Sequence, residues 1–233
     1  SGAINESFSD VWGEFVDLGN GAGTDAPANR WEIGEDLVGG AIRDMSDPPA
    51  FGDPDHIGHP NFVAPVSNPN DGNDYGGVHT NSGVNNKLCF LLTDGDTFRG
   101  QAVVGMGINA VADLYYEVTT NLITSSADYY DLYDALVQAA VNEGWSHVQR
   151  NHLYRACLAV QIAGGGTTIY VDASHSGPED GSAANPFNTV GEAMAVLNPG
   201  DHLFIRAGSY PETVTLDLVM GLIETDGPVT IGP

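Results

Sequence analysis

The spacing of apolar residues along the chain changes at Gly164-Gly165-Gly166. This change constrains the fold of the chain more than any other feature of the sequence. Before these glycines, apolar residues recur at the 3.6-residue spacing of amphipathic helices. After them come short apolar runs between Gly and Asp turns, which are typical of strands. We therefore expect a multidomain chain with a mainly α-helical domain at 1–163, a flexible Gly-rich linker at 164–167 and a β-rich segment at 168–233.

The composition limits the partners of the chain. Its 233 residues are 42% hydrophobic, which is enough for a buried core, and no apolar run is long enough to cross a bilayer. Seven Lys and Arg stand against 31 Asp and Glu, giving a formal net charge of −24. We therefore exclude nucleic acid and anionic membranes as partners. Such acidity suits bound cations or a protein that works in salt water.

The first residues predict an amphipathic helix with two carboxylates on one face. Glu6 and Asp10 are one turn apart, and an apolar stripe lies opposite them at Ile4, Phe8, Val11, Trp12 and Phe15. A solvated acidic face has this pattern. A metal site has it too, with one carboxylate on the ion and the other orienting a neighbouring ligand.

Further elements follow from periodicity and turn residues. A long loop rich in Pro, Gly, Asn and Asp covers about 19–73, and such a loop is usually functional or stabilised by an ion. We expect a second helix at 80–92, a third over 108–122, a fourth capped by Ser125 or Ser126 and stopped by Gly144, and a fifth opened by Ser146. In the β-rich segment we expect strands at 168–171, 202–206, 213–217, 222–224 and 229–231 and a helix at 190–197.

The chain has two cysteines, Cys89 and Cys157. Two cysteines can form one disulfide or remain as buried thiols. We expect the disulfide, because other features of the sequence suggest secretion.

Four segments of the helical part carry a family resemblance. They are Gly2 to Asp10, Trp31 to Asp36, Arg43 to Pro48 with Gly52 to His56, and Gly76 to Gly83. In this order they resemble the helical C-terminal half of thermolysin-like zinc metallopeptidases, over about residues 1–162. The resemblance implies hydrolysis of internal peptide bonds in protein substrates by metal-activated water.

The resemblance also implies a role for individual residues. Glu6 corresponds to the carboxylate zinc ligand, and Asp10 to the acid that holds one zinc-binding histidine. His79 corresponds to the group that stabilises the oxyanion, Asp74 to the acid that orients it, and Arg43 to the group that binds a substrate carbonyl. The apolar pocket for the residue after the cleaved bond corresponds to Ile33, Leu37 and Ile42.

A calcium site is a further implication of the resemblance. The corresponding positions are Glu14, Asp17, Glu32 and Glu35. Arg30 stands where the family usually has an aspartate, so we expect a single or lost calcium site. Asp25 could replace the missing aspartate as a calcium ligand, but nothing else in the sequence supports this role.

The zinc motif H-E-x-x-H does not occur in the sequence. The family has it upstream of the third ligand, and catalytic zinc needs three protein ligands. We therefore expect the chain to be an internal fragment that lacks the N-terminal half of the catalytic unit and is inactive alone.

The tail, about Thr168 to Pro233, resembles the opening of right-handed parallel β-helix proteins of the pectate-lyase type. The resemblance rests on Tyr170 to Asp172, Gly181 to Phe187 and Arg206 to Tyr210, and it leaves a polysaccharide as a partner to consider. The expected function is thus a fragment of a secreted zinc endopeptidase with a β-helix appendage. The alternatives are a non-catalytic surface protein that binds carbohydrate, and a polysaccharide lyase with a peptidase-like appendage.

Overall fold

The computed structural model describes residues 1–163, 167–198, 201–216 and 221–233. The chain divides into two units. Unit 1 comprises Ser1–Trp145 and Arg155–Ala163, and unit 2 comprises Ser146–Tyr154 and the described part of Gly164–Pro233. The predicted linker at 164–167 lies outside the described residues except for Thr167.

Helix α1 (Gly2–Asn20) opens unit 1 and confirms the predicted amphipathic helix. It buries Ile4, Phe8, Val11 and Phe15, and it ends at Gly21, whose φ of 66° is the left-handed conformation that glycine adopts at little cost. The predicted stripe is therefore the face of α1 that packs into the core. Trp12, which also belongs to the predicted stripe, is half-buried and packs edge-on against Phe15.

The long loop region predicted after α1 is present and contains only short regular elements. Strands β1 (Glu32–Ile33) and β2 (Arg43–Asp44) pair antiparallel, with Ile33 opposite Arg43. Two 3₁₀ helices follow, at Pro48–Phe51 and Asp71–Asn73. The pairing of β1 with β2 holds Arg43 next to the α1 side of the unit, where its guanidinium meets Asp10.

The elements that follow up to residue 159 are mostly helices. Their bounds are α2 (Asp74–Asn81), α3 (Gly83–Thr93), α4 (Ile108–Glu117) with a π turn (Val118–Leu122), and α5 (Tyr129–Asn142). Helix α6 (His147–Ala159) follows and begins at the predicted capping box, in which Gln149 Oε1 accepts from the backbone N–H of Ser146 at 3.0 Å. Helix α6 has its first residues in unit 2 and its last in unit 1. A hairpin of β3 (Gly95–Phe98) and β4 (Gln101–Val104) separates α3 from α4.

Two predictions in unit 1 are wrong, and one element was missed. Helix α5 is capped by Asp128, whose carboxylate accepts from two backbone N–H groups, and not by Ser125 or Ser126. The hairpin β3–β4 was not predicted; its turn has Arg99 and Gly100 at φ of 49° and 80°, the left-handed pair typical of two-residue hairpins. The disulfide is also wrong, because Cys89 and Cys157 are free, fully buried thiols.

The surroundings of the two cysteines are those of neutral, buried thiols. Burial raises the pKa of both thiols far above the ordinary value, so each stays protonated. Cys89 Sγ lies 4.0 Å from the hydroxyl of Thr93, one turn along α3. Each cysteine thus packs as a small apolar side chain.

Unit 2 contains a three-stranded parallel sheet with one helix against it. The strands are β5 (Thr168–Val171), β6 (His202–Tyr210) and β7 (Gly221–Ile231), in that order across the sheet. Helix α7 (Val190–Val196) connects β5 to β6 and is capped by Thr189. The core of the unit lies between α7 and one face of the sheet, and its buried members include Val171, Val190, Ala193, Leu197, Leu203 and Ile205.

The predicted strands of the tail are partly correct. Those at 168–171 and 202–206 are present, the second running on to Tyr210, and those at 222–224 and 229–231 form the single strand β7. The predicted strand at 213–217 is wrong: residues 213–216 are irregular, and residue 217 lies outside the described residues. The described part of unit 2 therefore contains a short parallel sheet, and this sheet does not extend to a β-helix.

Among the described residues, no helix has both the length and the apolar character needed to cross a bilayer.

Candidate functional site

The first carboxylate of α1 faces a histidine from α2. Glu6 Oε2 lies 3.5 Å from His79 Nε2. Both side chains are open to solvent, with exposed fractions of 40% for Glu6 and 53% for His79. The structure thus brings together two predicted site residues that are far apart in the sequence.

The backbone before His79 has an unusual conformation that the glycines make possible. Asp74, Tyr75, Gly76 and Gly77 all have positive φ, at 54°, 50°, 87° and 78°. Gly77 has a second constraint, since a Cβ there would lie 2.5 Å from Val63 Cβ. This left-handed run turns the chain back so that the side chain of Asp74 reaches His79.

Asp74 fixes the orientation and the tautomer of His79. Its Oδ1 lies 2.5 Å from His79 Nδ1, and its Oδ2 accepts from the backbone N–H groups of His79 and Thr80. Because a carboxylate accepts, Nδ1 carries the proton and Nε2 is the atom that faces Glu6. The contact with Asp74 raises the pKa of His79, against a smaller lowering by burial, and Glu6 adds to the increase. Burial tends to raise the pKa of Asp74, but its hydrogen bonds with His79 and Thr80 hold that pKa below the ordinary value.

Asp10 holds Arg43 from the other end of the site. Arg43 Nη1 donates to Asp10 Oδ1 at 3.3 Å, and Arg43 Nε lies 3.8 Å from Asp53 Oδ2. Burial raises the pKa of Asp53 to about 6, although Arg43 opposes this increase. Burial also raises the pKa of Asp10, while Asn86 and Arg43 lower it. Arg43 is therefore fixed between two carboxylates, with 18% of its side chain exposed.

A buried chain of polar side chains supports Asp10 from the core. Asn86 Nδ2 donates to Asp10 Oδ2 at 2.8 Å, and Ser7 Oγ donates to Asn86 Oδ1 at 2.6 Å. Asn85 Nδ2 donates to Ser7 Oγ at 2.8 Å, and Tyr115 Oη donates to Asn85 Oδ1 at 2.9 Å. Sequence reasoning missed this network. Its signal is the polar pair Asn85-Asn86 in the first turn of a helix whose other residues are mostly apolar.

The three predicted pocket residues lie together on the β1–β2 side of unit 1. Leu37 and Ile42 surround Gly34, where an added Cβ would meet Leu37 Cδ1 at 2.9 Å and Ile42 Cγ1 at 3.8 Å. Ile42 also donates its backbone N–H to the carbonyl of Ile33. Leu37 and Ile42 are 60% and 57% exposed, so they form an open apolar surface beside Arg43 rather than a closed pocket.

A second apolar surface adjoins the histidine loop. A pocket of about 370 Å³ lies at the start of α1 and is lined by residues that include Ile4, Val63, Tyr75, Val78 and Tyr129. It is built mainly from the loop before α2 and from the first turn of α1. The histidine therefore lies next to an apolar depression.

One cluster of carboxylates could hold a cation. Oxygen atoms of Asp17, Asp25 and Glu35 lie within 4.8 Å of one another. Glu14 is 4% exposed, and burial, together with the nearby charges of Glu35 and Asp17, raises its pKa to about 8. Of the four predicted calcium residues, Asp17 and Glu35 are in the cluster and Glu14 is beside it. Glu32 lies outside the cluster, and Asp25 takes its place there.

Arg30 does not join the carboxylate cluster. Its guanidinium donates to both carboxylate oxygens of Asp94, at 2.9 and 3.3 Å, and Trp31 Nε1 donates to the same carboxylate at 2.8 Å. The guanidinium is thus paired with Asp94 and not with a member of the cluster.

Comparison with known proteins gives consistent matches over the helical part. The family described as "Thermolysin metallopeptidase, alpha-helical domain" matches residues 1–162. A zinc metalloproteinase of Renibacterium salmoninarum is 54% identical over 139 residues, which are 60% of this chain and 25% of the relative. A bacillolysin of Bacillus cereus is 38% identical over 147 residues (61% and 24%), and a thermolysin of Alicyclobacillus acidocaldarius subsp. acidocaldarius is 37% identical over 171 residues (70% and 28%). The chain spans about a quarter of the length of these relatives.

Proposed function

Because the chain belongs to the thermolysin metallopeptidase family through the alpha-helical domain of that family, we propose that it forms the substrate-stabilising half of a zinc endopeptidase site. The reaction is hydrolysis of internal peptide bonds in protein substrates. The observation that carries the proposal is the convergence of Glu6 on His79, with Asp74 behind the histidine and Arg43 held by Asp10.

Glu6 is the zinc ligand that this chain contributes. Its carboxylate is on the rigid helix α1 and is exposed toward solvent, as an ion ligand must be before the ion binds. Zinc in such a site lowers the pKa of bound water to about 7 and so supplies a nucleophile. Three protein ligands are needed, and the sequence has no H-E-x-x-H, so the other two come from outside these 233 residues. Asp10 hydrogen-bonds one of those outside ligands.

His79 and Arg43 stabilise the negative charge that develops on the substrate. Attack of water on a peptide carbonyl produces an anionic tetrahedral species. Asp74 raises the pKa of His79, which favours the imidazolium form, and the Nε2–H of that form can donate to the oxyanion. Arg43, held by Asp10 and Asp53, positions a neighbouring substrate carbonyl.

The apolar surface of Ile33, Leu37 and Ile42 favours an apolar residue after the cleaved bond. Burial of a Leu or Phe side chain stabilises a complex by about 1.5–3 kcal/mol. Since Ile33 is the register partner of Arg43, a substrate bound at Arg43 has its next side chain at this surface.

The cluster of Asp17, Asp25 and Glu35 is the proposed calcium site. Calcium prefers carboxylate and carbonyl oxygens, and the three side chains offer one oxygen each at mutual distances within 4.8 Å. The site joins α1 to the long loop after it. Calcium there stabilises the segment that carries Ile33 and Leu37.

We further propose that the parent protein is secreted and that β5 to β7 are the first rungs of a right-handed parallel β-helix. The β-helix proposal is supported by the parallel register of the sheet, in which Tyr170, Phe204 and Ile223 are successive partners across three strands. The structure of a longer chain that continues beyond Pro233 tests it: further strands in parallel register on β7 support the β-helix, and an antiparallel neighbour contradicts it.

A segment swap tests the peptidase proposal. Residues 1–162 of this chain, the range of the family match, replace the corresponding segment of the Renibacterium salmoninarum zinc metalloproteinase, and the 54% identity over 139 residues preserves most packing. We expect the swapped enzyme to hydrolyse a quenched fluorescent peptide with Leu after the cleaved bond. We expect the 233-residue chain alone to show no hydrolysis.

Variants of the swapped enzyme assign the roles. Glu6→Ala removes zinc and activity together, whereas His79→Ala lowers kcat by a factor on the order of 10²–10³ and keeps the zinc content. Asp113→Ala, an exposed carboxylate on α4, is the matched control and leaves both unchanged. A Glu6→Ala enzyme with full zinc and full activity contradicts the proposal, as does hydrolysis by the isolated chain.

A further inference from the structure

The sheet of unit 2 has an outer face with two aromatic side chains next to each other. Tyr170 and Phe204 are register partners on β5 and β6. Their ring centroids are 5.0 Å apart and their planes are tilted by 55°. Their neighbours Val171 and Leu203 point into the core, so the two rings lie on the opposite face and are half-buried there.

The loop between β5 and α7 forms a wall beside these rings. Tyr170 donates its N–H to the carbonyl of Gly181, and its own carbonyl accepts from Phe187. These bonds fix the loop along the edge of β5. The resulting pocket has a volume of about 250 Å³ and includes Pro186 in its lining. It lies below the roughly 300–1,000 Å³ of sites for drug-sized ligands, so it admits a group the size of one ring.

The rim of the pocket supplies both donors and acceptors. Arg206 Nη1 donates to Asp172 Oδ2 at 3.1 Å, and 62% of the arginine side chain remains exposed, which leaves other guanidinium N–H groups accessible. His175 Nε2 lies 3.0 Å from the carbonyl of Pro178. Since a carbonyl only accepts, Nε2 carries the proton and Nδ1 of the neutral ring is an acceptor.

The charge of the pocket favours a neutral ligand. Arg206 is the one Lys or Arg in the sequence of residues 164–233, and it is already paired with Asp172. The whole chain carries a formal net charge of −24, which repels polyanions. The pocket thus offers two aromatic rings and a polar rim whose arginine is already paired. These features match a ligand that has an apolar C–H face and hydroxyl groups on its edge.

We propose that this pocket binds one neutral hexopyranose unit of a polysaccharide, with the C–H face of the sugar on Tyr170 and Phe204 and its hydroxyls on Arg206 and His175. The site lies in unit 2 and goes beyond the proposed peptidase function. It makes unit 2 a carbohydrate-binding module that holds the parent protein at a polysaccharide surface.

Calorimetric titration of the full chain tests the proposal. The probes are cellohexaose, maltohexaose, mannohexaose and, as the acidic comparison, hexagalacturonate. We expect at least one of the neutral hexaoses to bind. Tyr170→Ala and Phe204→Ala each weaken that binding on the order of tenfold, since each removes an aromatic face. Tyr116→Ala, which removes a tyrosine that is 62% exposed on α4, leaves the affinity unchanged.

A space-filling variant keeps the test decisive if an aromatic variant unfolds. Ala184 lines the pocket and is exposed, so Ala184→Leu narrows the pocket without removing any sugar-contacting group. We expect it to abolish binding while the circular dichroism spectrum stays that of the wild type. The proposal is overturned if no neutral hexaose binds, if binding survives both Tyr170→Ala and Ala184→Leu, or if only hexagalacturonate binds and Arg206→Gln removes that binding.

Discussion

Removal of one hydroxyl from the core should destabilise unit 1 by a measurable amount. Tyr115 and Asn85 are both 0% exposed, and Tyr115 Oη donates to Asn85 Oδ1 at 2.9 Å. Tyr115→Phe deletes this donor and leaves the amide oxygen of Asn85 buried without its phenol partner. An unsatisfied buried acceptor costs about 1–3 kcal/mol. For a chain of this size, about 2 kcal/mol corresponds to a decrease in Tm of roughly 4–8 °C.

The assay can be confined to unit 1. All three tryptophans, Trp12, Trp31 and Trp145, belong to it, so tryptophan fluorescence during urea unfolding of the full chain reports on this unit alone. Tyr116→Phe is the matched control, because the neighbouring tyrosine is 62% exposed and its hydroxyl is open to water. We expect Tyr115→Phe to lower the urea midpoint and Tyr116→Phe to leave it unchanged.

A double-mutant cycle checks the cause. In Asn85→Leu the polar acceptor is gone, so adding Tyr115→Phe to this variant should cost much less than it costs in the wild type. Equal costs of Tyr115→Phe in the two backgrounds, or equal midpoints for Tyr115→Phe and Tyr116→Phe, would show that the hydrogen bond to Asn85 does not stabilise the core.

Three further predictions concern charge. In calcium-free buffer, the pKa of Glu14 rises from its ordinary 4.5 to about 8 on folding, so its ionisation lowers the stability of the wild type progressively as pH increases from 4.5 to 8. Urea unfolding should therefore show Glu14→Gln to be more stable than the wild type by on the order of 4 kcal/mol at pH 8 and by almost nothing at pH 4. Calcium should raise the Tm of the wild type, and Asp25→Ala should abolish that increase whereas Asp113→Ala keeps it; an unchanged calcium response in Asp25→Ala contradicts the site. In the segment-swapped enzyme, the raised pKa of His79 keeps the imidazolium present to higher pH. Asp74→Asn should therefore move the basic limb of the pH profile of kcat/KM to lower pH. A basic limb that stays in place or moves to higher pH refutes the role of Asp74.

Much of the helical unit could be predicted because its signals are local. The apolar stripe of α1, the stop at Gly144 and the capping box at Ser146 depend on residues within a few positions of each other. The position of Glu6 near His79 follows from a resemblance, since no local pattern relates residues so distant in sequence. The distance of 3.5 Å between them is a property of how α1 packs on α2.

The errors arise where tertiary contacts decide the outcome. The apolar surroundings of Cys89 and Cys157 are those of buried thiols, and a sequence does not reveal how far apart two cysteines lie in a core. The strand expected at 213–217 has the right alternation, but no described partner pairs with its residues 213–216. The sequence around Asn85 and Asn86 predicts a helix but not the partners of these two side chains. Those partners include Ser7 and Tyr115, which come from other elements.

The left-handed run before His79 has a cost that falls on one residue. Gly76 and Gly77 adopt positive φ freely and Asp74 tolerates it, but Tyr75, at φ 50°, is a bulky residue in a conformation that costs about 1 kcal/mol or more. Asparagine or glycine would relieve this cost. The same strained residue is 53% exposed and places its ring at the edge of the apolar depression, so a change to asparagine or glycine would relieve the backbone only by removing that ring.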